Sequence, residues 1–293
     1  MRLKPWLLVL AAIGLSSFAT GRAAGRTMTS NPRVQSVRGF YAALVDEMSR
    51  AGYDEGERSL LAHPHDYYGR YLDQRSRDYV ALTVMPRIAD AISFFELEGR
   101  PKLRIFDLGC GLGMQSLIFA SLGATVVGVD VREESIQLCR KRKAYYEREL
   151  GRELDVEFHC CDFTRANVAD FDPPFDALFS MSAFSYVKPL DRTARRVSQL
   201  LSADGRVFLY EENASFALDR WKRSETLPTP AEVERALAAE GFRTEVLRGA
   251  GSIPSGLWRV PGLNETMLVP ANEVLRRSLR LSFKYVLAME RRG

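Results

Sequence analysis

An α/β architecture, with helices on both faces of a mostly parallel sheet, follows from three features of this 293-residue chain. Short β-branched and apolar runs alternate with longer helix-compatible runs from Leu103 onward. The first apolar run passes directly into a glycine-rich turn. Acidic residues then recur where successive strands should end, at Asp107, Asp130 and Asp162, and in open parallel sheets ligands sit outside the carboxyl ends of the strands.

Each element has a local reason. Ile105, Phe106 and Leu108 form a buried first strand. Gly109, Gly111 and Gly113 allow a tight turn and let a ligand approach the backbone at the N-terminus of a helix that finishes over residues 117–122. Residues 124–129 make a β-branched second strand ending in Asp130, and the polar run 133–149 a helix. Residues 155–160 form a third strand leading into Asp162 and Phe163. A fourth strand at 177–180, a helix at 190–201 and a fifth strand at 205–210 follow, the last leading into Glu211, Glu212 and Asn213. A helix at 231–240 is stopped by Gly241, and strands at 243–247 and 283–289 bring the total to seven.

Composition sets wider bounds. A chain that is 46% hydrophobic and 27% charged is ordinary for a globular protein, and its length accommodates one large domain with an added cap. A formal charge of +4 does not call for a nucleic-acid partner. Cys110, Cys139, Cys160 and Cys161 include no CxxC pair, so neither a metal site nor a redox motif is expected, and free thiols suit a cytoplasmic location.

Residues 1–27 read as an apolar leader or dispensable upstream segment, with Met28 an alternative start. Arg2 and Lys4 before the apolar stretch 6–18 resemble a signal peptide. Arg22, Arg26, Arg33 and Arg38, with no acid before Asp46, oppose export. Residues 5–20 offer a route to membrane association, although the stretch is short against the roughly 20 residues of a spanning helix. Residues 28–100 are expected to form an N-terminal helical cap, with 101–293 as the main domain carrying a long insertion at about 252–281.

The order of motifs over residues 103–247 resembles the class I S-adenosylmethionine (SAM) dependent methyltransferases. DLGCGLG is similar to the family's first motif, GVDVREESI to its second, CCDF to its third and FDALFSMSAF to its fourth. LLSADGRVFL looks like the entry to the fifth strand, with Ser202-Ala203-Asp204-Gly205 where a Pro-Gly-Gly turn is common. The resemblance implies a Rossmann-like fold and SAM as cofactor, with Asp107, Gly109, Cys110, Gly111, Gly113, Asp130, Val131, Asp162, Phe163 and Ser180 around it.

The residue chemistry suits that assignment. A carboxylate at Asp130 can accept from both ribose hydroxyls. Asp107 can accept from the methionyl amino group or hold the loop. Asp162 can accept from the adenine amine, with the backbone or ring of Phe163 against the base. A nicotinamide cofactor fits less well, because Met114 stands where the GxGxxG fingerprint wants its third glycine and Asp107 would repel a pyrophosphate.

The acceptor is less legible. Asp172-Pro173-Pro174-Phe175 spells the DPPF pattern of amino-group methyltransferases but precedes the fourth strand, so a small-molecule, lipid or glycan acceptor methylated on oxygen is preferred. Glu212 and His65 are candidates for a base, His63 and Glu211 lie nearby in sequence, and His159 reads as structural. Tyr67, Tyr68 and Tyr71, and the segment 252–281 with Trp258, Arg276, Arg277 and Arg280, are expected to shape the acceptor side. A macromolecular acceptor and a non-catalytic SAM-fold binding protein are the alternatives.

Overall fold

The computed structural model describes residues 32–63, 67–74, 76–100, 102–216, 227–251, 253 and 267–291. The apolar leader, His65 and about half of the insertion, including Trp258, lie outside the described residues.

Seven strands form one sheet: β1 (Arg104–Leu108), β2 (Thr125–Asp130), β3 (Val156–Cys160), β4 (Phe175–Met181), β5 (Leu201–Glu212), β6 (Phe242–Gly251) and β7 (Lys284–Arg291), in the spatial order β3-β2-β1-β4-β5-β7-β6. The pairs among β1 to β5 are parallel, and β7 runs antiparallel to both β5 and β6. Sequence order reverses at β1, so β2 and β4 flank the first strand and its glycine turn, the position at which an open sheet forms a ligand crevice.

Alternation along the strands divides the core into two layers. Ile105, Phe179 and Phe208 face a layer built from α1 (Pro32–Arg50), the helical run Arg77–Tyr79, Val80–Val84 and Met85–Phe94, α2 (Met114–Ser121) and α3 (Glu133–Leu150). Phe106, Leu108, Val207 and Leu209 face the other layer with α4 (Leu190–Leu200) and α5 (Pro230–Ala239). Phe106 meets Phe171 and Phe175 edge to face at 5.1 and 5.3 Å, a favoured aromatic geometry.

The fifth strand is longer than its apolar stretch suggests. It begins at Leu201, and its register with β4 jumps between Phe175↔Leu201 and Ala177↔Arg206. The residues expected to make a turn, Ser202 to Gly205, are instead absorbed as an irregularity within the strand. A Cβ at Gly205 would lie 2.7 Å from Leu201 Cβ, which explains the glycine there. The sixth strand likewise extends to Gly251, because β7 pairs with it as far as Lys284.

Candidate active site

The site is built on the exit of β1. Gly109 N and Cys110 N both donate to Val129 O at 2.9 Å, which binds the turn to β2. Gly109 has φ +74°, and a Cβ there would lie 2.1 Å from Ala183 Cβ just after β4. Gly111 differs: its φ is +55°, yet a Cβ would meet nothing within 4 Å. The turn therefore packs tightly against protein at Gly109 and leaves open space above Gly111.

The expected acids divide into distinct roles. Asp130 Oδ2 accepts from Gly111 N at 3.0 Å, and its Oδ1 accepts from Arg132 N at 3.0 Å. Each carboxylate oxygen keeps a further lone pair for a ligand. Val131 follows with 68% of its surface exposed, an apolar side chain presented beside the carboxylate. Asp107 is buried and accepts from Ser116 Oγ at 2.5 Å. Burial pushes its carboxyl up to about 7; the Ser116 hydrogen bond opposes this shift, and the nearby Asp130 charge adds to it.

At the exit of β3, Asp162 Oδ1 accepts from Thr164 N and Thr164 Oγ1 at 2.9 and 2.7 Å, and these bonds hold its carboxyl below the usual range. Its neighbour Phe163 keeps only the backbone of the two alternatives. The Phe163 ring is buried, 5.6 Å from the Phe106 ring, so it belongs to the core beneath the sheet edge and is not offered to a base.

Ser180 is fully buried, its hydroxyl 2.9 Å from Leu108 O and 3.2 Å from Glu211 Oε1, so it links β1 to β5. Glu211, also fully buried, accepts from the N–H groups of Ala183, Phe184 and Ser185 at 3.0 to 3.3 Å. Burial raises its carboxyl while those donors and Lys284 oppose the rise. Glu211 organises the loop after β4. The Cys110 thiol is buried, and Cys139 Sγ donates to Gly111 O at 3.3 Å, so both sulfurs support the turn from below.

Residues from three distant segments meet beyond the exits of β4 and β5. The short helix Tyr67–Leu72 places two successive tyrosines there: the Tyr67 hydroxyl lies 3.1 Å from Ser182 Oγ, and the Tyr68 hydroxyl accepts from Met114 N at 3.2 Å. Lys284 Nζ, at the start of β7, donates to Ser182 Oγ and lies 3.4 Å from Glu212 Oε1. Glu212 Oε2 accepts from the Tyr186 hydroxyl. Lys284 was missed in the sequence because its position depends on strand direction: an antiparallel last strand begins where the parallel strands end. A lone lysine opening the apolar run KYVLAM was the available signal.

Other expectations fall elsewhere. His159 pairs with Glu157 at 3.4 Å. Asp172 to Phe175 lies at the amino end of β4, where Arg104 Nη2 is 3.4 Å from Asp172, away from the strand exits. Arg276 pairs with Glu273 beside the last helix.

Comparison with known proteins agrees with this geometry. Residues 106–209 match the family described as methyltransferase domain. The chain is 29% identical over 188 residues to the ubiquinone biosynthesis O-methyltransferase of Azorhizobium caulinodans, covering 58% of this chain and 70% of that protein. It is 24% identical over 286 residues to the mitochondrial ubiquinone biosynthesis O-methyltransferase of Mus musculus, covering 88% and 73% respectively. In fold it is similar to magnesium protoporphyrin IX methyltransferase from Synechocystis PCC 6803 with bound S-adenosylhomocysteine (SAH), with a TM-score of 0.53 at 15% identity, covering 80% of this chain and 98% of that one. The glycine turn, the acids at the strand exits, the antiparallel seventh strand and the match over residues 106–209 together show a SAM-dependent methyltransferase domain with the class I fold.

Proposed function

We propose that the protein methylates an oxygen atom of a small molecule. The observation that carries this reading is the pairing of open space above Gly111 with the Asp130 carboxylate that holds the Gly111 N–H. In this reading Asp130 accepts from the ribose hydroxyls, exposed Val131 packs on the nucleoside, and the backbone at Asp162 and Phe163 borders the base. Asp107 lies under the loop toward the methionyl end. When bound, SAM supplies a methyl group on a positively charged sulfur; the protein has to orient an acceptor oxygen toward it.

Support for oxygen comes from the names of the relatives, which are O-methyltransferases of ubiquinone biosynthesis, and from the clustered hydroxyl and ammonium groups of Tyr67, Ser182 and Lys284. The helices of residues 32–99 then serve as a cap. The four free thiols support a cytoplasmic setting; among the described residues no helix is long and apolar enough to cross a membrane.

Calorimetric titration with SAM, SAH and NADH tests the cofactor reading. Binding of both sulfur nucleotides without NADH is the expected result. NADH binding alone would overturn it. Transfer of labelled methyl to phenols and carboxylates, and not to amines, then tests the oxygen acceptor.

A further inference from the structure

The ammonium at the start of β7 indicates the form in which the acceptor oxygen is bound. Lys284 pairs across the sheet with Glu212, so its backbone is fixed at the carboxyl edge of β5. Its side chain is only 7% exposed, and an ammonium is costly to bury unless its hydrogens are satisfied. One hydrogen goes to Ser182 Oγ; Nζ lies 5.7 and 5.4 Å from the ring centroids of Tyr67 and Tyr210. The contact with Glu212 is long, at 3.4 Å, and the other oxygen of that carboxylate is engaged by Tyr186. Burial works against the charge on Lys284, but Tyr67 and Glu212 more than offset it and hold the ammonium above the usual lysine range.

Ser182 is shaped for the same purpose. It adopts φ +58°, an unusual left-handed conformation for a residue other than glycine, immediately before the three N–H groups clamped by Glu211. Strain of this kind persists where surrounding structure enforces it, and it gathers at functional sites. Ser182 Oγ accepts from Lys284 and shares a hydrogen bond with the Tyr67 hydroxyl; whichever of the two hydroxyls donates to the other, one proton of the pair is left for an incoming oxygen. Tyr67 and Ser182 are half-buried, so the cluster reaches solvent. It also borders the cofactor loop, since the next residue, Ala183, is the one a Cβ on Gly109 would strike.

We propose that Lys284, with the one free proton of the Ser182–Tyr67 hydroxyl pair, binds the acceptor as an oxyanion, so that the enzyme takes phenolates or carboxylates in preference to neutral alcohols. The inference rests on the O-methylation reading above. An acceptor held this way brings its own nucleophilic electron pair: the oxygen–carbon bond forms as the sulfur–carbon bond breaks, the sulfur keeps the electrons of that bond, and a neutral ether or ester results with no proton to remove. Fixed donors in a partly desolvated site are suited to holding such charge.

The test uses the full chain saturated with SAH and two probe pairs. 4-Nitrophenol, added below its own pKa, reports its ionised form by the yellow phenolate band; benzoate is compared with benzamide by calorimetry. Wild type is expected to bind 4-nitrophenol as the phenolate, or benzoate over benzamide, or both, and the responding arm identifies the source of the anion. Lys284→Met should weaken that binding roughly tenfold or more, Lys284→Arg should restore part of it, and SAH affinity should stay unchanged in both. Ser182→Ala, which leaves the lysine in place, should weaken the same anion with SAH affinity intact and keeps the test decisive if Lys284→Met does not fold. Equal binding of charged and neutral probes, or wild-type anion affinity in both Lys284→Met and Ser182→Ala, would overturn the oxyanion site while leaving the methyltransferase reading intact. Failure of the wild type to bind SAH would overturn that reading and the inference with it.

Discussion

Arg142 Nε lies 2.7 Å from Glu47 Oε1 with neither side chain exposed, and this ion pair ties the first described helix to the cofactor turn. Arg142 also donates to Leu112 O within the turn, while the hydroxyls of Tyr53 and Tyr146 each donate to Glu47 at 2.7 Å. Burial raises the Glu47 carboxyl, but the Arg142 charge and the three hydrogen-bond partners lower it further, so it ends below its usual value. Removing one partner of a buried pair leaves the other uncompensated. Glu47→Ala should therefore cost about 3–5 kcal/mol of stability in urea unfolding, and a double replacement of Glu47 and Arg142 by Leu and Met should cost less. Because the folded pKa is depressed, the contribution of Glu47 is complete above the unfolded value of 4.5 and is lost as pH falls through the lower folded value. The difference in stability between wild type and Glu47→Ala should shrink accordingly in acid.

Asp107 should give the opposite pH signature. Its carboxyl, raised from 3.8 to about 7, keeps a proton that the unfolded chain has lost across that interval. Stability attributable to Asp107 is present below 3.8, falls as pH rises toward 7, and levels off above. Denaturation of Asp107→Asn across the same range should lack this slope. If Asp107 receives the methionyl amino group, the loss of SAM affinity in the variant should widen between roughly pH 6 and pH 8, as the wild-type carboxylate ionises. Equal loss at both ends would remove that role.

The two glycines of the turn separate fold from binding. Gly109→Ala would force a methyl against Ala183 Cβ and should lower the melting temperature markedly. Gly111→Ala faces open space, so its main cost to stability is the positive φ, about 1–2 kcal/mol. It should nonetheless weaken SAM binding, since the new methyl projects where the ligand would lie. Calorimetry and thermal melts on both variants measure the contrast.

Asp130→Ala should weaken SAM by roughly 10- to 100-fold, the range expected when a hydrogen bond to a charged group is lost. Unchanged affinity would reject the placement of the ribose. The variant also releases Gly111 N–H, so Asp130→Asn, which retains an acceptor for that N–H, should recover part of the affinity.

Glu211→Gln should destabilise the fold by about 1–3 kcal/mol, because an amide turns one acceptor oxygen into a donor facing an N–H already bound by the carboxylate. A base would lose turnover with stability intact. Chemical denaturation beside a turnover assay distinguishes the two, and loss of stability is the outcome expected of a group that clamps three backbone N–H groups.

Much of the cofactor side was legible in the sequence because its causes are local. A strand of alternating apolar residues, three glycines able to take positive φ, and an acid at the end of the next strand all lie within Arg104 to Asp130, and neighbouring parallel strands bring them together with short connections. Asp107, Gly109, Gly111 and Asp130 are found around one turn for that reason. Residue type did not reveal which polar groups remain available. Ser180 and the Phe163 ring stood at the expected exits but are buried by packing, and Asp162 has one oxygen engaged by the residue two places on.

By itself the sequence determined the α/β plan, the glycine turn and the carboxylates at its rim, since strand periodicity and glycine conformation act over a few residues. Tertiary structure decided the cluster of Tyr67, Ser182 and Lys284. Tyr67 and Ser182 are 115 positions apart, and Lys284 lies 102 positions beyond Ser182. Their meeting depends on β7 running against its neighbours and on a helix laid across the strand exits. Strand order and direction are set by long-range pairing and by which faces are buried, and no local pattern in any of the three segments encodes them.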